Sequence, residues 1–242
     1  MSGGTDIGAA DGTPDIGAAD GTPDIGGTGG GAGKGLRIDR LVTSGTFSLD
    51  GGTWDVENNV WILGNDEECL IIDPAHHPAA IQAAVAGRKV TAILLTHGHD
   101  DHIGAVGEVR WLVKAPVYLN RADWMLWERV FPGTEPDHAI EDGDIFDVAG
   151  ARLVALHTPG HSPGSMCFTL ASEGTVFAGD TLFQGGPGAT GRSFSEFPTI
   201  IESIRSRLLT LPADTVVRTG HGDSTTVGAE APQLAEWIAR GH

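Results

Sequence analysis

The sequence predicts an α/β fold, a layered sandwich in which helices lie outside two β-sheets. Three observations lead there. From Leu36 onward, short apolar, β-branched runs alternate with alanine-rich or amphipathic stretches, the pattern of strands mixed with helices. The first runs adjoin one another as a meander, while the later ones alternate with helical stretches, which favours two stacked sheets over a parallel doubly wound one. The segment 36–242, about 207 residues, suffices for one such domain.

Along that segment, runs 37–43, 58–64 and 68–73 read as the opening strands, and 78–86, starting at Pro78, as the first helix. Run 90–95 is apolar almost throughout and reads as a buried strand. Helix 103–114, strand 116–119 and helix 121–130 follow, with Trp124 and Trp127 at helical spacing and therefore assigned to the core. Strands 145–148, 151–157, 165–171 and 175–179 come next, then helix 197–209, strand 215–219 and helix 228–240.

Residues 1–35 stand apart. A nonapeptide, Asp-Ile-Gly-Ala-Ala-Asp-Gly-Thr-Pro, starts at Asp6, recurs from Asp15 and degenerates from Asp24 into glycine. After Met1, its only apolar residues larger than alanine are Ile7, Ile16 and Ile25, too few to offset the chain entropy of ordering. A disordered tail is expected, and the pattern is not the Gly-Gly-x-Gly-x-Asp repeat of calcium-binding β-rolls.

Composition narrows the partners. With 40% hydrophobic and 19% charged residues the chain has the balance of a soluble globular protein. No apolar run approaches the roughly 18–20 residues of a membrane span, and no basic-then-apolar leader precedes the domain, so no membrane partner and a cytoplasmic location are expected. Cys69 and Cys167 sit in strand-like runs and read as buried free thiols. A net charge of -17 and a pI near 4.7 oppose polyanion binding, which argues against nucleic acid. Oligomeric state is not readable.

The chemistry concentrates after the apolar run 90–95, where Thr96-His97-Gly98-His99-Asp100-Asp101-His102 brings imidazoles and carboxylates together. Functional groups on a loop at the end of a rigid strand are well placed for a site, and Gly98 is read as letting the backbone bend tightly between two of them. These donors suit zinc, iron or manganese, and the absence of nearby cysteine argues against a structural tetrathiolate zinc. Three later segments each follow a predicted strand and offer a ligand beside glycine: His161 in Thr158-Pro159-Gly160-His161, Asp180 in Gly179-Asp180-Thr181, and His221 in Gly220-His221-Gly222. Together the donors exceed what one tetrahedral metal needs and suit two metals sharing a carboxylate.

These elements, T-H-x-H-x-D-H, T-P-G-H-[ST]-x-G, G-D-T-L-F and G-H-G in that order, make the chain resemble the metallo-β-lactamase-fold hydrolases, most closely the glyoxalase II-like branch. The resemblance spans Leu36 to the C-terminus and implies a four-layer αββα sandwich. It implies that His97, His99 and His161 bind one metal, that Asp101, His102 and His221 bind the other, and that Asp180 bridges them, leaving Asp100 out. The nucleophile it implies is a hydroxide held between two divalent metals, zinc foremost, with Asp101 orienting it for attack on a carbonyl. A thioester of a small thiol carrier suits this, because a thiol of pKa about 8.5 leaves without a general acid.

Similar proteins place a basic residue after the bridging aspartate to meet a substrate carboxylate, and Arg192, at the end of the glycine-rich loop 179–192, is the candidate here. Trp54, beside Gly51 and Gly52, is the second substrate contact, on a flexible hairpin over the metals. Asp73 is expected to support the ligand loop by hydrogen bonds, and His157, read as structural, is placed near enough to His161 to offer an outer contact as the alternative. His76, His77, His138 and His242 are read as structural or surface residues. The competing functions are lactone, ester or β-lactam hydrolysis on the same centre, a persulfide dioxygenase with a single iron, and an inactive metal-binding module. The dioxygenases carry Ala-His-Asp where this chain has Gly220-His221-Gly222, and only 21 residues follow His221, too few for the helical domain that contacts glutathione in the glyoxalase II family.

Overall fold

The computed structural model describes residues 35–241. Of the tail assigned to residues 1–35, only Gly35 lies among them, and His242 is also outside.

The first sheet opens with β1 (Arg37–Leu49) and β2 (Gly52–Gly64), an antiparallel hairpin in unbroken register from Arg37 opposite Gly64 to Leu49 opposite Gly52. β3 (Glu68–Ile72) extends it antiparallel. After α1 (Pro78–Val85), β4 (Lys89–Leu94) lies parallel to β3. The short α2 (Asp100–Ile103) and α3 (Val106–Val113) lead to β5 (Val117–Leu119), and α4 (Trp124–Val130) leads to β6 (His138–Ala139), both parallel additions. The second sheet is a meander of β7 (Ile145–Val148), β8 (Ala151–His157), β9 (Met166–Leu170) and β10 (Thr175–Gly179). β11 (Leu182–Phe183) and β12 (Gly186–Pro187) form a separate ribbon. Following α5 (Phe197–Ser203), β13 (Val216–Thr219) joins β10 in parallel and β14 (Thr225–Thr226) closes the edge, before α6 (Val227–Glu230) and α7 (Leu234–Arg240). The sheet orders are β1-β2-β3-β4-β5-β6 and β14-β13-β10-β9-β8-β7.

Strand alternation explains the layering. Trp61, Leu63, Leu70, Ile72 and Leu94 pack against Leu153, Ala155, Phe168 and Phe177 between the sheets. Their neighbours Val60, Ile62, Cys69, Ile71 and Ile93 point the other way, onto Ile81 and Val85 of α1 and Val106 and Val109 of α3. On the far side Cys167, Val176, Ala178 and Val217 meet Ile200 of α5 and Trp237 of α7. Both faces of the central strands are therefore buried, which is why they read as continuous apolar runs. The outcome is the αββα sandwich, with both cysteines buried and free.

The expected elements need local corrections. β1 and β2 run well past the expected 37–43 and 58–64, because their outer halves are mostly exposed, with apolar residues only at Phe47, Leu49, Trp54 and Val56, yet pair fully. Helix 103–114 is two helices, starting at Asp100 and broken around Gly104 and Ala105, so Asp101 and His102 sit on a helix rather than a loop. The last turns of 197–209 widen into a π-helix over Ile204–Leu208. Helix 228–240 is divided by a tight turn over Ala231–Gln233 at Pro232, which lacks an amide donor. The paired dipeptides of β6, β11, β12 and β14 are too short for periodicity to reveal; His138, read as a structural or surface residue, lies in β6.

Candidate metal centre

Four strands of the sandwich end at one edge, and each is followed at once by a segment of the site: β4 by His97 and His99, β8 by His161, β10 by Asp180 and β13 by His221. Bonds between the sheets tie this edge together. Asn59 N donates to Gly220 O at 2.7 Å, Trp61 Nε1 to Thr219 O at 3.0 Å, and Met166 N to Thr96 O at 2.7 Å. The sequence places the donors up to 124 residues apart, His97 to His221, and the fold brings them into one cluster.

Three overlapping groups result: His97 with His99 and His161; His97 with His102 and Asp180; Asp101 with His102 and His221, the atoms of each lying within 4.8 Å of one another. His99 Nδ1 lies 3.0 Å from His161 Nε2, and His102 Nε2 3.2 Å from His221 Nε2. Asp101 Oδ2 and Asp180 Oδ2 each lie 3.3 Å from His221 Nε2, and Asp180 Oδ2 lies 3.6 Å from His161 Nε2. Ligands about 2.1 Å from a tetrahedral metal stand about 3.4 Å apart, so these spacings are those of a coordination shell. Asp180 touches both ends of the cluster, as a shared carboxylate must. Asp100 is turned away: its two oxygens accept from Ser48 N at 3.1 Å.

Tautomers follow from the outer bonds. His161 Nδ1 meets the carbonyl of Ala189 at 2.9 Å and His221 Nδ1 that of Glu57 at 2.7 Å, so both nitrogens carry the proton. His102 Nδ1 donates to Asp73 Oδ2 at 3.0 Å, and His97 Nδ1 lies 3.0 Å from Thr96 Oγ1, whose own proton goes to Asp73 Oδ2 at 2.6 Å. A ring protonated at that outer nitrogen alone turns a bare Nε2 into the cluster, the form that binds a metal. His97 Nε2 and Asp180 Oδ1 are buried without any hydrogen-bond partner, as is the far nitrogen of His99. Buried polar atoms are seldom left unpaired, and donor atoms of this type converging without partners fit divalent cations.

The electrostatics agree. Burial pushes His97 far below the ordinary imidazole range and His99 down to about 3, so both stay neutral. Burial by itself would raise Asp101, but the charge of His102 and bonds from His221 and Asn58 outweigh it and hold the carboxyl at about 2. Burial likewise opposes ionisation of Asp180, yet His221 and His102 keep it well below the carboxylate range. Against burial, Asp180 and Asp101 raise His102 well above its usual range and His221 to about 10. The cluster demands positive charge, which protons on His102 and His221 supply in the metal-free protein.

Two carboxylates brace the ligand segments. Asp73 fills the supporting role expected of it, accepting from Thr96 N at 2.7 Å as well as from Thr96 Oγ1 and His102. Asp123, which the sequence reading missed, accepts from Gly98 N at 2.9 Å, Ser162 Oγ at 2.6 Å and Gly164 N at 2.6 Å, so it joins the His97 segment to the His161 segment. Gly98 is needed for this approach and not for a tight bend: its φ is ordinary, but a Cβ there would come within 2.9 Å of Leu126 and 3.0 Å of the Asp123 carbonyl. His157 does not reach His161; its Nε2 bonds Pro163 O at 2.9 Å. His76, read as structural, lies 2.8 Å from Asn58 Oδ1, and Asn58 Nδ2 donates to Asp101 Oδ2 at 3.0 Å. The pair Asn58-Asn59, buried at the head of the apolar run Val60-Trp61-Ile62-Leu63, was the available signal for that contact.

At the mouth, Trp54 lies within the paired β2, not on a loose tip. The Arg192 guanidinium stacks on its ring at 3.7 Å, and Phe47 bridges Trp54 and His99 with centroids 5.8 and 5.2 Å away. Ser193 N donates to Asp50 Oδ2 at 2.9 Å, joining the hairpin turn to the Arg192 segment. Beside His99 lies a cavity of about 210 Å³ lined by Ser48, Leu49, Asp100, Leu126, Arg129 and Val130. Arg129 on its edge was not singled out, since a lone exposed arginine gives no signal.

Residues 53–221 match the Metallo-beta-lactamase superfamily. The chain is 38% identical over 192 residues to the "Probable metallo-hydrolase YqgX" of Bacillus subtilis, covering 74% of this chain and 91% of that protein. It is 34% identical over 192 residues to "Hydroxyacylglutathione hydrolase GloC" of Haemophilus influenzae, covering 73% and 86%. The crystal structure of TTHA1623 in a di-iron-bound form superposes with a TM-score of 0.63 at 34% identity, over 73% of this chain and 93% of that one.

Proposed function

The chain belongs to the metallo-beta-lactamase superfamily as a metallo-hydrolase, and from that premise we propose that it hydrolyses the thioester of an acyl group with a small thiol carrier. One observation carries the reading: the buried convergence of imidazole nitrogens and carboxylate oxygens, with His97 Nε2 and Asp180 Oδ1 left without any hydrogen-bond partner. In this reading His97, His99 and His161 hold one divalent cation, Asp101, His102 and His221 a second, and Asp180 both. Zinc suits a set rich in imidazole, and iron and manganese accept the same donors. When bound, such a pair supplies an acidified water and a Lewis acid for the acyl oxygen.

The chain's own residues do the rest. Asp101, held anionic by His102, His221 and Asn58, is the acceptor that orients the nucleophilic water. Asp73 and Asp123 keep the ligand segments from relaxing. A thiolate leaves without a proton, so a site whose acid-base groups are all committed as ligands or braces favours a thioester over an amide. At the mouth, Arg192 and Arg129 form no ion pair among the described residues and offer their guanidinium groups to carboxylates of the thiol carrier, while Trp54 and Phe47 line its path. The likeness to GloC supports this substrate class. Cys69 and Cys167, buried and unpaired, support a reducing, cytoplasmic setting. No helix among the described residues is long and apolar enough to cross a membrane.

The test is metal quantification on purified protein coupled to a panel of thioesters, esters, lactones and β-lactams. About two metals per chain and metal-dependent release of free thiol are expected. Lactone or ester turnover with no thioester turnover would overturn the substrate, and a single iron with oxygen consumption would replace hydrolysis by sulfur oxidation.

A further inference from the structure

The loop from β3 to α1 holds two non-glycine residues in the left-handed region, Asp73 at φ 52° and His76 at φ 56°. Aspartate and histidine are among the side chains that tolerate this region best. Asp73 uses the conformation to brace Thr96 and His102 directly. His76 touches no candidate ligand, yet it begins a chain of two hydrogen bonds that ends on one: His76 Nε2 to Asn58 Oδ1 at 2.8 Å, then Asn58 Nδ2 to Asp101 Oδ2 at 3.0 Å.

The chemistry of the chain is directional. An amide oxygen can only accept, so His76 Nε2 carries the proton and fixes Asn58 with its oxygen toward the ring. The NH2 group of Asn58 must then face Asp101. With the amide reversed, an acceptor would meet the carboxylate oxygen, a repulsive contact in a place where Asn58 is fully buried. Asp101 Oδ2 is also the oxygen 3.3 Å from His221 Nε2, so the bond acts on the face of the carboxylate turned to the cluster. The fold makes room for the ring: a Cβ on Gly45 of β1 would overlap the His76 imidazole, and Thr43 Oγ1 anchors the preceding residue by donating to Ala75 O at 3.0 Å.

We propose that His76 is a positioning residue for the second cation. Through Asn58 it holds Asp101 in its ligating orientation, and it has no contact with the His97, His99 and His161 end. The inference rests on the ligand assignment above and adds selectivity to it: loss of His76 weakens one metal site and spares the other.

Titration calorimetry of the metal-free protein with zinc reads this without any substrate. Wild type is expected to take up two equivalents. In His76→Ala the second equivalent binds about 10- to 100-fold more weakly, the range for lost outer contacts to a metal ligand, while the first keeps its affinity. His76→Gln, whose amide can donate to Asn58 Oδ1, recovers most of the loss, which a purely structural role would not produce. Thermal melting of both metal-free variants checks that the fold persists. A two-site wild type with His76→Ala unchanged would overturn this inference alone, as would equal weakening of both sites with a collapsed melting temperature. Wild type binding no second zinc would remove the ligand assignment and this inference with it.

Discussion

Beneath the centre, Asp73 and Asp123 are buried carboxylates that each accept three hydrogen bonds from the ligand-bearing segments. Above it, Trp54 and Arg192 meet in one exposed stack, with Trp54 38% accessible. The floor is over-determined, so no single bond sets its geometry, and the chemistry it supports is fixed by the fold. The rim is a fully paired hairpin joined to the Arg192 segment and to α2 by single side-chain contacts, Asp50 to Ser193 and Asp100 to Ser48, so its exposed side chains can change without disturbing the floor. On the proposed function, one region specifies what reaction is run and the other on what molecule.

Breaking the floor should cost most. Asp180→Ala removes the carboxylate common to both ends of the cluster, and kcat/KM is expected to fall on the order of 10³-fold. Retention of wild-type turnover by that variant would dissolve the distinction. Next, Asp123→Ala leaves two buried amides and a hydroxyl without their acceptor. A loss of about 2–4 kcal/mol follows, and at roughly 2–4 °C per kcal/mol a melting temperature lower by about 4–16 °C, read by calorimetry. The rim should behave oppositely: Arg192→Ala or Trp54→Ala should raise KM about tenfold for carrier thiols bearing carboxylates, with kcat held and the fold altered by less than about 1 kcal/mol. A KM rise of equal size for an uncharged carrier would remove Arg192 from substrate recognition.

The smallest effect concerns the metal-free floor. His221 is raised to about 10 from an ordinary 6.5, so its share of stability is complete below pH 6.5 and is lost as pH climbs through 10. Asp101 is depressed to about 2 from 3.8, so its share is complete above pH 3.8 and is lost as pH falls through 2. His99, held at about 3 from an ordinary 6.5, contributes fully only above pH 6.5 and loses its share as pH falls through 3, so melting of chelator-treated protein should peak near pH 6.5 and decline toward both pH 3 and pH 10. A modest slope is expected, since His221 is a quarter exposed and solvent screens it. A flat profile would mean that the two groups do not pair without metal.

How far the sequence carried the reading follows the same division. Strand segments such as Leu70 to Ile72 and Ile93 to Leu94 are buried on both faces, so hydrophobicity marks them, and candidate ligands placed directly after strands announce themselves as abrupt polarity. Asp123 could not be found this way: its partners lie on segments at Gly98 and Ser162 that only the tertiary fold brings near. His76 was hidden for a related reason, since its meaning depends on the side chain of Asn58 and on the missing Cβ of Gly45. The outer halves of β1 and β2 were missed because only a few apolar residues, Phe47, Leu49, Trp54 and Val56, mark them among glycine and polar residues, although their backbone pairing is complete.

The spread of the donors along the chain has a mechanical side. Whatever grips His97 and His221 together closes more than half of the polypeptide into a ring. A covalent cross-link closing a loop of about 100 residues removes unfolded-state entropy worth about 4.7 kcal/mol in the chain-entropy model. Bound cations would act as such a clasp, reversible and sensitive to chelators. Unfolding of the loaded protein would then have to open the clasp first, so the span from β4 to β13 would come apart as one unit and not strand by strand.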